Sequence, residues 1–254
     1  MSKPGKEAQA KADPWARLRA ATPARIGLGR AGAGLTTKAH LEFQYAHARA
    51  RDAVHRALDL AQLEADLAPA EVVRVASAAP DRATYLRRPD LGRQLAAQDW
   101  PELAAREASD LAIVIADGLS SDAVQTNAAG VAKALLKALP EFRLAPIVIA
   151  SQARVAIGDA IGEKLKARLV VVLVGERPGL TVADSLGAYV TYGPRPGRRD
   201  SERNCISNIH GQGGLSHEEA AHKIAWIARQ ALKLELTGTG LKEDAGGQAL
   251  VDQS

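Results

Sequence analysis

Five groupings in the chain have residue types that could do chemistry, and their spacing sorts them. Gly27-Leu-Gly29-Arg-Ala-Gly32 matches the glycine string of dinucleotide sites, and Asp52 lies twenty residues beyond Gly32. That site needs a strand before the glycines and an acid at the end of a second strand. Thr22-Pro-Ala-Arg-Ile26 is short and interrupted by proline, and Asp52 falls within a helical pattern. A glycine-rich turn carrying Arg30 toward a partner is the expectation instead. Cys205 precedes His210 by five residues, but a thiolate nucleophile also needs its base to be oriented, and no third residue is evident. His217 and His222 are spaced i, i+5, about 140° apart on a helix, so one metal ion cannot take both. Asp117 and Asp122 flank Gly-Leu-Ser-Ser, where a strand-to-helix turn explains them as well as Mg²⁺ would. No catalytic group and no metal site is therefore assigned. Val174-Gly-Glu-Arg-Pro-Gly-Leu180 is the fifth grouping. It follows the most apolar run, at the strand end where open α/β sheets hold ligands, and a plain turn has no need of Glu176 beside Arg177.

The elements that must position these groups can be read from hydrophobic periodicity. Residues 1–12 read as a disordered start, and 13–106 as a mainly helical, irregular region suited to partner docking. Within it, a long helix is expected from Thr36–Thr37 to about Leu60, and a strand over Glu71–Ala76. From about 107 to 236 the texture changes. Apolar runs at Leu111–Ala116, Pro146–Ala150, Leu169–Val174 and Ala188–Tyr192 are separated by helical patterns, at least through the third run. Ser216-His-Glu-Glu219 spells a capping box that opens a last helix to about Leu236. Continuous apolar strands alternating with amphipathic helices predict an α/β domain with a parallel sheet covered on both faces. Residues 237–254 read as a flexible tail.

Composition excludes several classes. Of 254 residues, 46% are hydrophobic and 24% charged, ordinary values for a globular protein. No window approaches a membrane span, and one cysteine forbids an internal disulfide, so a reducing cytoplasm is expected. Aromatics at 4% argue against base-stacking nucleic-acid modules. Residues 1–60 carry 11 Lys/Arg against 5 Asp/Glu, a basic region suited to an acidic partner surface.

The strings ARIGLGRAG, YLRRPDLGRQL, IADGLSSDA, VGERPGL and NCISNIHGQGG, in that order, resemble the small subunit of ethanolamine ammonia-lyase from about Asp13 to Leu236. The resemblance implies a subunit of an adenosylcobalamin-dependent radical lyase that converts ethanolamine to acetaldehyde and ammonia. It implies a large-subunit partner carrying substrate in a (β/α)₈ barrel, a higher hetero-oligomer, and a Rossmann-like face on this chain that closes over the corrin. This chain alone would be inactive. The family's cofactor contacts map by these motifs onto Val155, Glu176 and Cys205. The chain lacks Asp-x-His-x-x-Gly, the motif that replaces the cofactor's nucleotide base, so base-on binding is expected. Some relatives carry an N-terminal extension associated with a protein-shelled bacterial microcompartment; residues 1–12 here are short and not amphipathic.

Two other readings stay open from the residues alone. One is a self-sufficient α/β enzyme that binds a nucleotide or phosphorylated ligand at the same strand ends. The other is an interaction protein whose basic N-terminal region docks an acidic partner.

Overall fold

The computed structural model describes residues 13–22, 24–30, 32–104 and 107–242. The expectations for residues 1–12 and 243–254 lie outside them. The chain divides into two compact units, Met1–Ala48 and Arg49–Ser254.

In the first unit a short helix, α1 (Ala16–Ala21), precedes a glycine-rich turn. Gly27, Gly29 and Gly32 all take positive φ, which L side chains rarely adopt. The turn closes locally: Arg19 Nη1 donates to Gly27 O at 2.7 Å, and a Cβ on Gly27 would meet the Trp15 ring. α2 runs Thr37–His55, shorter than the sequence suggests. A second N-cap ends the expected run early. Asp59, already in the second unit, accepts from Gln62 N at 3.0 Å and opens α3 (Leu60–Leu67), whose Leu63 and Leu67 are fully buried.

The second unit is built on a six-stranded sheet in the order β1-β3-β2-β4-β5-β6. Its strands are β1 (Val72–Ala76), β2 (Ser109–Ala116), β3 (Ile147–Ser151), β4 (Ala167–Gly175), β5 (Leu186–Tyr192) and β6 (Arg203–Ile209). Besides α3, its helices are α4 (Arg82–Arg87), α5 (Trp100–Ala104), α6 (Ser121–Ala138), α7 (Ile157–Lys164) and α8 (His217–Leu234). The first four strands in the spatial order are parallel, and β2, β3 and β4, covered on both faces, are apolar almost throughout. Along β2, Leu111, Ile113 and Ile115 pack with α3, α6 and α8, while Ala112, Val114 and Ala116 pack with α5 and α7. Period-two alternation thus feeds two cores from one strand.

The sheet is mixed rather than wholly parallel. β5 runs antiparallel to β4, and β6 antiparallel to β5. Segments 176–185 and 193–202 contain no crossover helix, and a parallel return needs one or a comparably long connection. β1, from the region read as mainly helical, joins the sheet edge beside β3. The start of the expected loose tail is pinned. Thr237 Oγ1 donates to Glu202 O at 2.6 Å, Asn204 Nδ2 donates to Leu241 O at 2.7 Å, and Leu241 is buried.

Candidate functional site

The carboxyl ends of β2, β3 and β4 converge on one cleft. It is an open hollow of about 450 Å³ lined by Tyr85, Gly118, Leu119, Arg154, Val155, Val174, Gly175, Glu176, Arg177 and Tyr189. A ligand hollow at this end of parallel strands is where such sheets bind. The structure brings Val155 and Glu176 into the same wall. Cys205 sits beside it on β6, directly across from Tyr189 in the antiparallel register.

Glu176 is prepared on one side and open on the other. Ser185 Oγ donates to Glu176 Oε2 at 2.6 Å, and Glu176 N donates to Ser185 O at 3.0 Å. Oε1 accepts no hydrogen bond among the described residues. Gly187 makes room for it, since a Cβ there would stand 2.9 Å from Oε1. The carboxylate is thereby fixed in rotamer with one acceptor oxygen to offer. The thiol of Cys205 is raised by desolvation, against its hydrogen bond with Tyr189, and the Glu176 charge raises it further. Such a thiol stays protonated, the opposite of an activated nucleophile. His210 does not serve it: His210 is buried and its Nδ1 accepts from Gln212 N at 3.2 Å.

The loop that presents Val155 is held by Asp117. Its two carboxylate oxygens accept from Gln152 N and Ala153 N, each at 2.9 Å, and Gln152 takes a left-handed φ of 52°. Burial pushes the Asp117 carboxyl up, against these two N–H groups and Arg82, whose Nη1 is 3.7 Å away. Arg82 Nη1 also donates to Gly118 O at 2.9 Å, and Nε to Val54 O at 2.7 Å. Beneath lies Tyr85, fully buried, its hydroxyl donating to Ala153 O at 3.3 Å. Desolvation pushes the Tyr85 phenol up to about 12.

The glycines of this region close turns against one another. Gly118 has φ +58°, and a Cβ there would lie 2.3 Å from Gly175 O; one on Gly175 would lie 2.0 Å from Ser120 O. Gly175 therefore admits the neighbouring strand-end turn. Asp122 pairs with Arg56 at 2.8 Å, and no group of three potential metal-binding side chains occurs among the described residues. Gly27–Gly32 has no strand before it among the described residues, and Asp52 lies inside α2, so the dinucleotide pattern is a coincidence of spelling. His217 Nε2 is 3.1 Å from Asn127 Oδ1, and Ser216 and Glu219 form the predicted capping box.

Comparison with known proteins decides the family. The ethanolamine ammonia-lyase light chain model matches residues 12–242. The chain belongs to the ethanolamine ammonia-lyase light chain family. The ethanolamine ammonia-lyase small subunit of Xanthomonas campestris pv. campestris is 52% identical over 92% of this chain and 89% of its own length. The small subunit of Bradyrhizobium diazoefficiens is 52% identical over 93% of both chains, and that of Pseudomonas fluorescens 47% identical over all of this chain and 94% of its own. Membership makes this light chain one component of an ammonia-lyase. No helix among its described residues is long and apolar enough to cross a membrane.

Proposed function

We propose that this light chain is the cofactor-binding half of an adenosylcobalamin-dependent ethanolamine ammonia-lyase, with Val155, Glu176 and Cys205 as contacts to a base-on corrin. The observation that carries the reading is the fixed carboxylate of Glu176, one oxygen taken by Ser185 and the other without a hydrogen bond among the described residues, in a cleft that Val155 also lines at the sheet's ligand end. A corrin ring with its amide arms exceeds what this open cleft can enclose, so the cleft suits one side of the cofactor and a partner must cover the other. The donor set fits the group. Glu176 Oε1 can accept from an amide arm, a charge-assisted bond. Leu119, Val155, Val174 and Tyr189 offer apolar wall to a largely apolar ring. Cys205, held protonated beside Tyr189, adds a small polarizable contact and no acid–base chemistry.

When bound, the cofactor supplies the radical that allows ammonia to be lost from ethanolamine. The light chain binds and orients the cofactor and excludes water from its side. The four parallel strands act as a Rossmann-like platform for this, and the large subunit carries the substrate. The first unit serves docking. It exposes Trp15, Leu18, Leu35, Leu41, Phe43 and Tyr45 amid its excess of Lys and Arg, and clustered exposed apolar side chains mark interaction surfaces. In the assembled enzyme several such pairs form a higher hetero-oligomer.

The test is reconstitution. Acetaldehyde production is measured with adenosylcobalamin for this chain alone, for the large subunit alone, and for the two together. Activity only in the mixture is the expected result; turnover by this chain alone overturns the proposal.

A further inference from the structure

The cleft contains a cation that its own chain leaves unserved. Arg154 follows β3, its N–H donating to Gly92 O at 2.8 Å, and its guanidinium carbon stands 4.8 Å from the Tyr85 ring centroid. Arg82 stands at the same distance from the same ring. Gly92 keeps this stack in place, because a Cβ there would lie 2.8 Å from Tyr85 and 3.2 Å from Arg154 Cγ. The two guanidinium groups differ in their partners. Arg82 has two backbone carbonyls and the Asp117 carboxylate, and only its Nη2 is left buried without a partner. Arg154 has no hydrogen-bond acceptor and no carboxylate within 4.0 Å among the described residues, and its Nε is buried without a partner. An unmet donor on a charged group, part-buried, is costly unless a ligand meets it. Neither nearby acid can. Both oxygens of Asp117 are committed to backbone N–H groups, and Glu176 lies beyond ion-pair distance.

We propose that Arg154 is the anion-binding residue of this cleft and takes the phosphodiester of the cofactor's nucleotide loop. The inference rests on the cofactor reading above and adds to it a second, charged anchor. The amide arms of a cobalamin are neutral, whereas its nucleotide loop carries one formal negative charge, on the phosphodiester. A guanidinium fork matches two phosphate oxygens in its own plane, and the face of Tyr85 holds that plane fixed. Glu176 would then read the donor side of the cofactor rim while Arg154 reads its one anion. A base-on cofactor keeps its nucleotide loop folded beneath the ring, near the surface that the ring covers, so both contacts can belong to one half-site.

The experiment uses the reconstituted complex and two corrinoids, adenosylcobalamin and adenosylcobinamide, which lacks the nucleotide loop and its phosphate. Binding is followed by equilibrium dialysis from corrinoid absorbance, apart from turnover. Arg154→Met keeps the stem over Tyr85 and removes the fork. It should weaken cobalamin binding by roughly ten- to a hundred-fold, the scale of a lost charged hydrogen bond, and leave cobinamide binding within about two-fold. Arg154→Lys should recover part of the cobalamin affinity through charge alone. Equal loss for both corrinoids would mean that the side chain only supports the fold, and would overturn the assignment. So would no loss for either. If the wild-type complex binds neither corrinoid, the cofactor reading itself falls and this inference with it.

Discussion

Removing the Asp117 carboxylate should loosen the loop that carries Arg154 and Val155. The side chain is buried and accepts two backbone N–H groups at 2.9 Å, those of Gln152 and Ala153. Asp117→Ala leaves both donors without a partner and leaves Arg82 without its counter-charge at 3.7 Å. A buried donor stripped of its acceptor costs about 1–3 kcal/mol, so two cost roughly 2–6 kcal/mol. Asp117→Asn retains one acceptor oxygen and turns an amide N–H₂ toward the other donor, so about half that loss is expected. Urea unfolding of the full chain measures both, and hydrogen exchange at Gln152 and Ala153 locates the effect. The midpoints should fall in the order wild type, Asn, Ala, with the two amides losing protection first. An Ala variant within about 0.5 kcal/mol of wild type, the range of neutral surface changes, would refute the view that Asp117 anchors this loop.

Three further outcomes are expected. Arg203 and Asp159 form a buried bidentate pair, 2.7 Å for each bond, that ties β6 to α7. Arg203→Met alone should cost about 3–5 kcal/mol by stranding the acid, and adding Asp159→Leu should restore much of it; equal unfolding midpoints for wild type and the single variant would contradict this. Tyr85 ionises near pH 10 when unfolded and about 12 when folded, so its contribution is complete below pH 10 and is lost as the pH rises to 12. Tyr85→Phe should flatten that alkaline decline by about one proton, and unchanged pH dependence would count against the buried phenol. Arg30→Glu, an exposed residue of the glycine turn, should weaken assembly with the large subunit more at low than at high salt, read by sedimentation; salt-independent assembly contradicts docking through that turn.

The sequence was most legible where one pattern did one job. The apolar runs ending at Ala116, Ala150 and Val174 became β2, β3 and β4, and Ser216 capped α8 as its spelling predicts. β6 was missed because Asn204-Cys-Ile-Ser-Asn is an edge segment with irregular burial and little apolar content. The antiparallel return of β5 was legible in principle, since segment 176–185 contains no helical pattern, but an apolar strand reads alike in either direction. Glu176 could be found from its position at a strand end. Ser185, Gly187, Tyr85 and Arg154 could not, nor could the loop-anchoring role of Asp117, because these roles are contacts between distant segments rather than spacings. Asp117 meets Ala153 from 36 residues away and Tyr85 meets it from 68.

The central claim is that this chain binds the cofactor and leaves the chemistry to its partner, and Glu176 separates those roles. In the reconstituted complex, adenosylcobalamin affinity and turnover at saturating cofactor are measured for wild type, Glu176→Gln and Glu176→Ala. Loss of a hydrogen bond to a charged group is worth about 1.5–3 kcal/mol, so Ala should bind the cofactor roughly ten- to a hundred-fold more weakly, with Gln between. Turnover at saturation should change far less than affinity. Unchanged affinity with collapsed turnover would make Glu176 an acid–base group of the reaction and contradict the account.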